Sequence, residues 1–441
     1  MGKLLTIIPK NLNPSIKKSP KDFTRKRKLP LPKLIVFILS VVAAGQNQGV
    51  DNKSGIFFRD ARRSGLWPNA EAVHRSSLSK ARKKVSWKIF RELLQKAVAL
   101  AYEVWPEKEE FLWHGMSAVA TDGSKFNLPA TKKIRNKFDS KSGLEYSGRG
   151  HYPQCLVSTV YDVFRRLPIA RTVVGINESS ERNEVKKLLP FVPQNSLWMF
   201  DRGYPSFDLI AFLIAEFSGK FLFRCPAFST FPAVEAFIKS KKKEAVIWLT
   251  PSHMYLSKIP LKDRKNCKSI KLRVVRLISP DGVLSVLLTN LYEKKKFQRK
   301  EIIDLYFRRW EIESYYRDEK IIMEVERFHS KTVNGILQEL YASMIMSTIS
   351  RTIMVLSAEM IYSGEHEFQF KNAVITLASD AAIFAPDDPE KAALIFEEII
   401  TEISRVKYYR PKVPRSSNPR VCKAPVNKWS IRKIKAIKEK K

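Results

Sequence analysis

Between residues 300 and 325, Tyr306, Arg309, Glu313, Tyr316 and Lys320 follow one another at spacings of three, four, three and four. At about 100° per residue, a helix through this segment gathers all five within an arc of roughly 80°. One carboxylate then stands with an arginine a turn before it and a lysine two turns after. An exposed ladder of ion pairs has the same spacing and contributes only about 0.2–0.5 kcal/mol per pair. The helix alone therefore defines no site. Ile303, Phe307, Trp310 and Ile321 occupy an adjacent arc and are expected to dock it to a core.

Two aspartates change the picture. Asp122 follows the apolar run Ala118-Val119-Ala120 in Ala-Thr-Asp-Gly-Ser, and Asp201 follows Leu197-Trp198-Met199-Phe200 in Phe-Asp-Arg-Gly-Tyr. Each is expected where a buried strand gives way to a glycine turn, although a lone Asp-Gly is most often only a turn. With Glu313 they make three hard oxygen donors delivered by separate elements. That set suits magnesium or manganese, which prefer carboxylates and retained waters. Two such ions about 4 Å apart can activate a water or hydroxyl and stabilise the leaving oxygen of a phosphodiester. Asp122, Asp201 and Glu313 are thus the candidate catalytic and metal-binding residues. The six histidines are scattered without a metal-binding spacing, and no Ser/His or Cys/His nucleophile is supported.

The elements that must carry these groups follow from local pattern. Residues 20–110 read as helical, with helices expected over Leu34–Val42, Ala70–Lys84 and Trp87–Val104. From residue 111, short β-rich runs at Ala118–Ala120, Cys155–Val163, Ile169–Val174 and Leu197–Phe200 predict strands, with a helix over Glu181–Phe191. A helix over Phe207–Phe217 and a strand over Phe221–Arg224 follow. Residues 226–290 read as inserted strands, at Ala245–Thr250, Ser269–Ile278 and Val283–Leu288. One helix is expected from Lys300 to about Val325, another over Ile336–Ala358, and helical structure from Glu365 to Ile403. The domains expected are 1–110, helical and DNA-binding; 111–360, catalytic; and 361–441, helical with a basic tail.

Composition points to the partner. The chain has 441 residues, with 79 Lys and Arg against 44 Asp and Glu, a net charge of +35. Residues 1–33 carry ten basic residues and one acid, and residues 406–441 carry thirteen and one. Such ends suit phosphate-binding arms, with binding that weakens as salt rises. Arg25–Lys28 and Arg82–Lys84 are candidate phosphate contacts. The apolar run Leu34–Ala44 is too short to span a bilayer, which takes about 20 residues, and is expected to be a buried helix. Four cysteines far apart in sequence argue against a disulfide framework or structural zinc.

These residues resemble those of the insertion sequence four family of DDE transposases, whose helix motif is Y-xx-R-xxx-E-xxxxxx-K. Tyr306, Arg309, Glu313 and Lys320 match it throughout. Asp122 and Asp201 match the two catalytic aspartates, and similarity continues through Glu326-Arg327-Phe328-His329 to about residue 360. The resemblance implies a ribonuclease-H-like α/β core with a β-rich insertion, two divalent ions (Mg2+ or Mn2+), and cut-and-paste transposition in the bacterial cytoplasm. It also implies a homodimer that pairs inverted-repeat ends of double-stranded DNA. Tyr306, Arg309 and Lys320 would hold phosphates of the transposon end. Arg202 is a further candidate DNA contact, and Trp248 could stack on an extruded base, against the plainer expectation that it packs in a strand core. The main alternative is a decayed or repurposed DNA-binding protein, and a second is a nuclease that cuts without joining.

Overall fold

Near-continuous apolar runs mark strands covered on both faces. All five residues of Ser196–Phe200 are buried, as are eight of the nine in Gln154–Asp162. The structure is a computed structural model, and it describes residues 2–8, 17–25, 28–43, 49–105, 109–140, 152–279, 282–360 and 366–409. Lys26, Arg27 and the basic tail beyond residue 409 lie outside the described residues.

In chain order, helices α1 (Gly2–Leu5), α2 (Leu31–Val42), α3 (Val50–Arg63), α4 (Arg75–Lys83) and α5 (Lys88–Val104) come first. Strand β1 (Ser117–Asn127), α6 (Lys132–Phe138), β2 (Gln154–Asp162), β3 (Leu167–Gly175), α7 (Glu181–Leu188), β4 (Ser196–Phe200), α8 (Phe207–Glu216) and β5 (Lys220–Pro226) follow. The next stretch holds α9 (Pro232–Lys239), β6 (Glu244–Leu249), α10 (His253–Leu256), β7 (Ile270–Ile278) and β8 (Leu284–Thr289). Helices α11 (Arg299–Arg308), α12 (Glu311–Arg317) and α13 (Val333–Met360) lead to β9 (His366–Phe368), α14 (Phe370–Ser379), α15 (Pro389–Arg405) and β10 (Lys407–Tyr409).

One eight-stranded sheet runs in the order β3-β2-β1-β4-β5-β8-β7-β6. The β3-β2-β1 edge is antiparallel, β1-β4-β5 is parallel, and β8, β7 and β6 extend the same sheet antiparallel. The chain is therefore mixed α/β. The stretch read as inserted strands also contains α9, whose Val234 and Phe237 are buried.

Strand alternation sorts the core into two layers. Val119, Trp198 and Phe200 face Val185 and Leu188 of α7. Ala118, Ala120, Leu197 and Met199 face Ile312 and Tyr316 of α12. Helix α2 is almost wholly buried, as its apolar run predicts. It packs on α13, which also meets α5, α14, α15 and β3. Helix α13 is long and apolar enough to cross a membrane, but most of it is buried inside the protein.

Arg82, expected at DNA, instead joins α4 to α13. Its guanidinium pairs with Glu339 at 2.7 Å and donates to Gln338 Oε1 and the Gly335 carbonyl, both at 3.1 Å. Lys84 pairs with Asp22 at 2.9 Å. Arg82 is thus committed to holding α4 on α13, whereas Lys84 reaches a turn and stays half-exposed.

Candidate active site

Strands β1 and β4 pair in parallel, and Thr121 opposite Phe200 is the last pair of that ladder. Asp122 and Asp201 are the next residue on each strand, so the register alone brings them side by side. Asp201 begins a turn, closed by the Tyr204 N–H donating to the Asp201 carbonyl at 3.1 Å. The expectation of a turn fails at Asp122. There β1 continues to Asn127, with Asp122 opposite Thr159 and Gly123 opposite Ser158. Glycine serves close approach at this position: a β-carbon on Gly123 would lie 2.5 Å from Glu181 Oε1.

The third carboxylate arrives on a helix that is not continuous. The segment expected as one helix from Lys300 is α11, a break at Arg309–Trp310, α12, and a π-helical turn over Asp318–Ile322. At the break, the Arg309 and Trp310 N–H groups donate to the carbonyls three residues back. The docking residues follow expectation only in part, with Ile303 and Phe307 packed half-buried against the core. Ile302, Leu305, Ile312 and Tyr315 are buried, whereas Trp310 and Ile321 are exposed. The tighter break rotates the apolar arc, so a stripe drawn for an unbroken helix misses it.

The polar face nonetheless points to one place, inward. Arg309 is 1% exposed. Its Nη2 donates to Glu313 Oε1 at 3.1 Å and lies 3.9 Å from Asp201 Oδ1, and its Nη1 lies 3.9 Å from Asp122 Oδ2. Tyr306 donates its hydroxyl to Asp201 Oδ1 at 3.1 Å. Tyr316 donates to the Asp122 carbonyl at 2.8 Å. Lys320 reaches Ser124 Oγ at 2.9 Å and the Lys125 carbonyl at 2.7 Å, bracing the far end of β1. Hence the spacing that could have been a surface ladder gathers three partly exposed carboxylates around one buried guanidinium.

Residues 113–349 match the family described as the transposase DDE domain. The chain belongs to this family. It is 24% identical over 340 residues to the transposase InsG for insertion sequence element IS4 of Escherichia coli strain K12, covering 76% of this chain and 72% of that protein. Among solved structures it matches a piggyBac transposase synaptic complex with hairpin DNA, at 10% identity and a TM-score of 0.42 over 96% of this chain and 86% of that one. The family match and the similarity to InsG uphold the resemblance to the insertion sequence four family.

DDE transposases generally use divalent metal ions, and the donors here can be tested for fit. Among the described residues, no three acidic, histidine or cysteine side chains stand close enough to one another to form a coordination shell. The Arg309 guanidinium holds the central position, yet its Nε and Nη1 are buried without a hydrogen-bond partner. Three carboxylates against one incompletely bonded cation leave an excess of negative charge that a divalent ion or a phosphate-bound ion would offset. The oxygen-only donor set fits Mg2+ or Mn2+. Burial pushes the Asp122 carboxyl up to about 6; Arg309 opposes that shift, while Glu181 and Glu313 add to it.

Glu181 escaped sequence reasoning, where it reads as an ordinary acid in the first turn of a Ser-capped helix. The glycine after Asp122 was the only hint, and without the fold it suggested a turn. The remaining predicted contacts are apart from the hub. Arg202 is exposed on the turn after Asp201. Trp248 lies on β6, an edge strand, and is 58% exposed, which removes the core-packing expectation.

Proposed function

We propose that this transposase carries out cut-and-paste transposition with Asp122, Asp201 and Glu313 as its catalytic carboxylates. The observation that carries this reading is their convergence on Arg309 from two adjacent parallel strand ends and one helix. The β3-β2-β1-β4-β5 order, antiparallel then parallel, supports a ribonuclease-H-like core, with residues 226–290 as the insertion. The three carboxylates would hold Mg2+ or Mn2+, which would supply an activated oxygen nucleophile and stabilise the leaving oxygen. Water attacks phosphorus at each inverted-repeat end and releases a 3′ hydroxyl. That hydroxyl then attacks the opposite strand or target DNA. Both are in-line displacements, so one centre serves both.

Arg309 has a second role in this reading. When a phosphate enters, its unpaired Nη1 together with Nη2 can present the end of the guanidinium to it as a planar two-point clamp. Lys320, held against β1, fixes the strand that carries Asp122 and lies ready for a flanking phosphate, as Tyr306 fixes Asp201. Exposed Arg202 and Trp248 suit contacts to the DNA end, the latter by stacking on a base, worth about 1–3 kcal/mol. The helices of residues 1–110, the basic tail and a second copy of the chain would bind and pair the ends in the bacterial cytoplasm.

The test is Mg2+-dependent cleavage and joining of DNA bearing the inverted repeats that flank this reading frame. Wild type should nick and join, and Glu313→Gln should bind the ends without cutting. Equal cleavage by Glu313→Gln would refute the assignment.

A further inference from the structure

We propose that Glu181 is a fourth carboxylate of the metal-binding centre, reaching it from the sheet face opposite Glu313; this rests on the DDE reading above. Alternation along β1 puts Asp122 on the α12 side and Gly123 on the α7 side. Glu181 opens α7, and its carboxylate lies over Gly123, where any β-carbon would collide with Oε1 at 2.5 Å and with Cδ at 2.6 Å. A glycine within a strand packs nothing and weakens it, unless another group must come close. Here the group that comes close is a carboxylate, next to the residue that bears the first catalytic aspartate.

A second contact ties Glu181 to the other strand end. Tyr204, three residues after Asp201, is 1% exposed, and its buried hydroxyl has no hydrogen bond of good geometry. The carboxylate beside that hydroxyl is Glu181. The neighbouring Arg182 donates from Nε to the Gly203 carbonyl at 2.9 Å and fastens α7 to the same turn. Glu181 therefore bridges the backbone segments that carry Asp122 and Asp201, and its negative charge adds to a centre already short of cations. Its hard oxygens suit a divalent ion, directly or through a retained water.

The plainer role is that of a first-turn acid favoured by the helix dipole. Mn2+ titration of the full-length protein without DNA, followed by electron paramagnetic resonance of the free ion, separates the two. Asp122→Asn, Asp201→Asn and Glu313→Gln are expected to weaken Mn2+ binding. Glu181→Gln should also weaken it, by tenfold or more, with the metal-free melting temperature little changed. Gly123→Ala should reproduce that loss with every carboxylate intact, because the methyl displaces Glu181, and it serves as the second test where Glu181→Gln does not fold. If the three DDE variants lose affinity while Glu181→Gln and Gly123→Ala stay within twofold, Glu181 is only a helix-start acid and the proposal falls alone. If no variant alters Mn2+ binding, the DDE metal reading fails with it.

Discussion

One buried arginine belongs to the helical segment and another reaches it from β3, and their surroundings differ in kind. Arg171 on β3 donates from Nη2 to both oxygens of Glu319 at 2.7 and 2.8 Å and to the Tyr315 hydroxyl at 2.8 Å. Its Nη1 donates to the Leu340 carbonyl at 2.7 Å, and both side chains of the pair are fully buried. Charge balances there, one acid to one base, and both terminal nitrogens are bonded. Arg309 faces three carboxylates, and only Nη2 makes a hydrogen bond to one of them. A balanced, bonded ion pair fixes a structure. An unbalanced one, partly exposed on its acidic side, leaves negative charge for a cation to offset.

The largest expected effect sets the two glutamates of this segment against each other. Glu313→Ala should lower end cleavage by at least about a hundredfold, since ligand loss removes several kcal/mol of transition-state stabilisation. Its side chain is 42% exposed, so stability should change by less than about 0.5 kcal/mol. Glu319→Ala should do the reverse. Stranding Arg171 in a sealed core costs about 3–5 kcal/mol, read as a fall in denaturation midpoint. Equal destabilisation by the two variants would erase the distinction between a fixing pair and a binding centre.

Arg309→Ala sharpens the comparison from the basic side. It leaves Asp122, Asp201 and Glu313 facing one another without a counter-charge. Charge-assisted contacts of this kind contribute about 1.5–3 kcal/mol, so cleavage at saturating Mg2+ should fall tenfold or more. Arg309→Lys should recover charge but not the two-point geometry, and should stay below Lys320→Arg. Near-wild-type cleavage by Arg309→Ala would reduce this arginine to a structural counter-ion.

Much of this centre was legible in the sequence, and the reason is that its parts are local. The 3-4-3-4 spacing survives the break at Arg309–Trp310 because each half keeps its own helical face. The two aspartates follow short apolar runs that read as strands. What sequence could not supply was the parallel pairing of β1 with β4, set by contacts nearly 80 residues apart, and hence the meaning of Gly123. Arg82 shows the opposite failure. Basic clusters look alike whether they face phosphate or a buried Glu339, and only the packing of α4 on α13 separates them.

The acidic excess also has a pH signature. A carboxyl raised by burial favours folding in its neutral form, so Asp122 contributes stability that is fully present below about pH 4 and lost as pH rises through about 6. Metal-free Asp122→Asn should therefore match wild type near pH 4 and exceed it at pH 7 by roughly 1–2 kcal/mol, after allowance for its partial exposure. Added Mg2+ should reverse the order at pH 7 by stabilising wild type alone. A variant no more stable than wild type at neutral pH would mean that Arg309 already neutralises Asp122 in full.

The smallest effect belongs to Tyr306. Its ring is 1% exposed and packed between α11 and the sheet, so Tyr306→Phe keeps the volume and should fold normally. What is lost is one hydroxyl donated to Asp201 Oδ1 at 3.1 Å. Asp201 is 31% exposed, and water can replace part of that bond. The net cost should be near 1 kcal/mol, about fivefold in cleavage rate, with affinity for the DNA end unchanged. Tyr306→Ala, which also opens a cavity beneath the helix break, should lose several kcal/mol of stability as well. If Tyr306→Phe instead lost as much activity as Arg309→Ala, positioning of Asp201 would outweigh the guanidinium, and the excess of acid over base would no longer be what marks the centre.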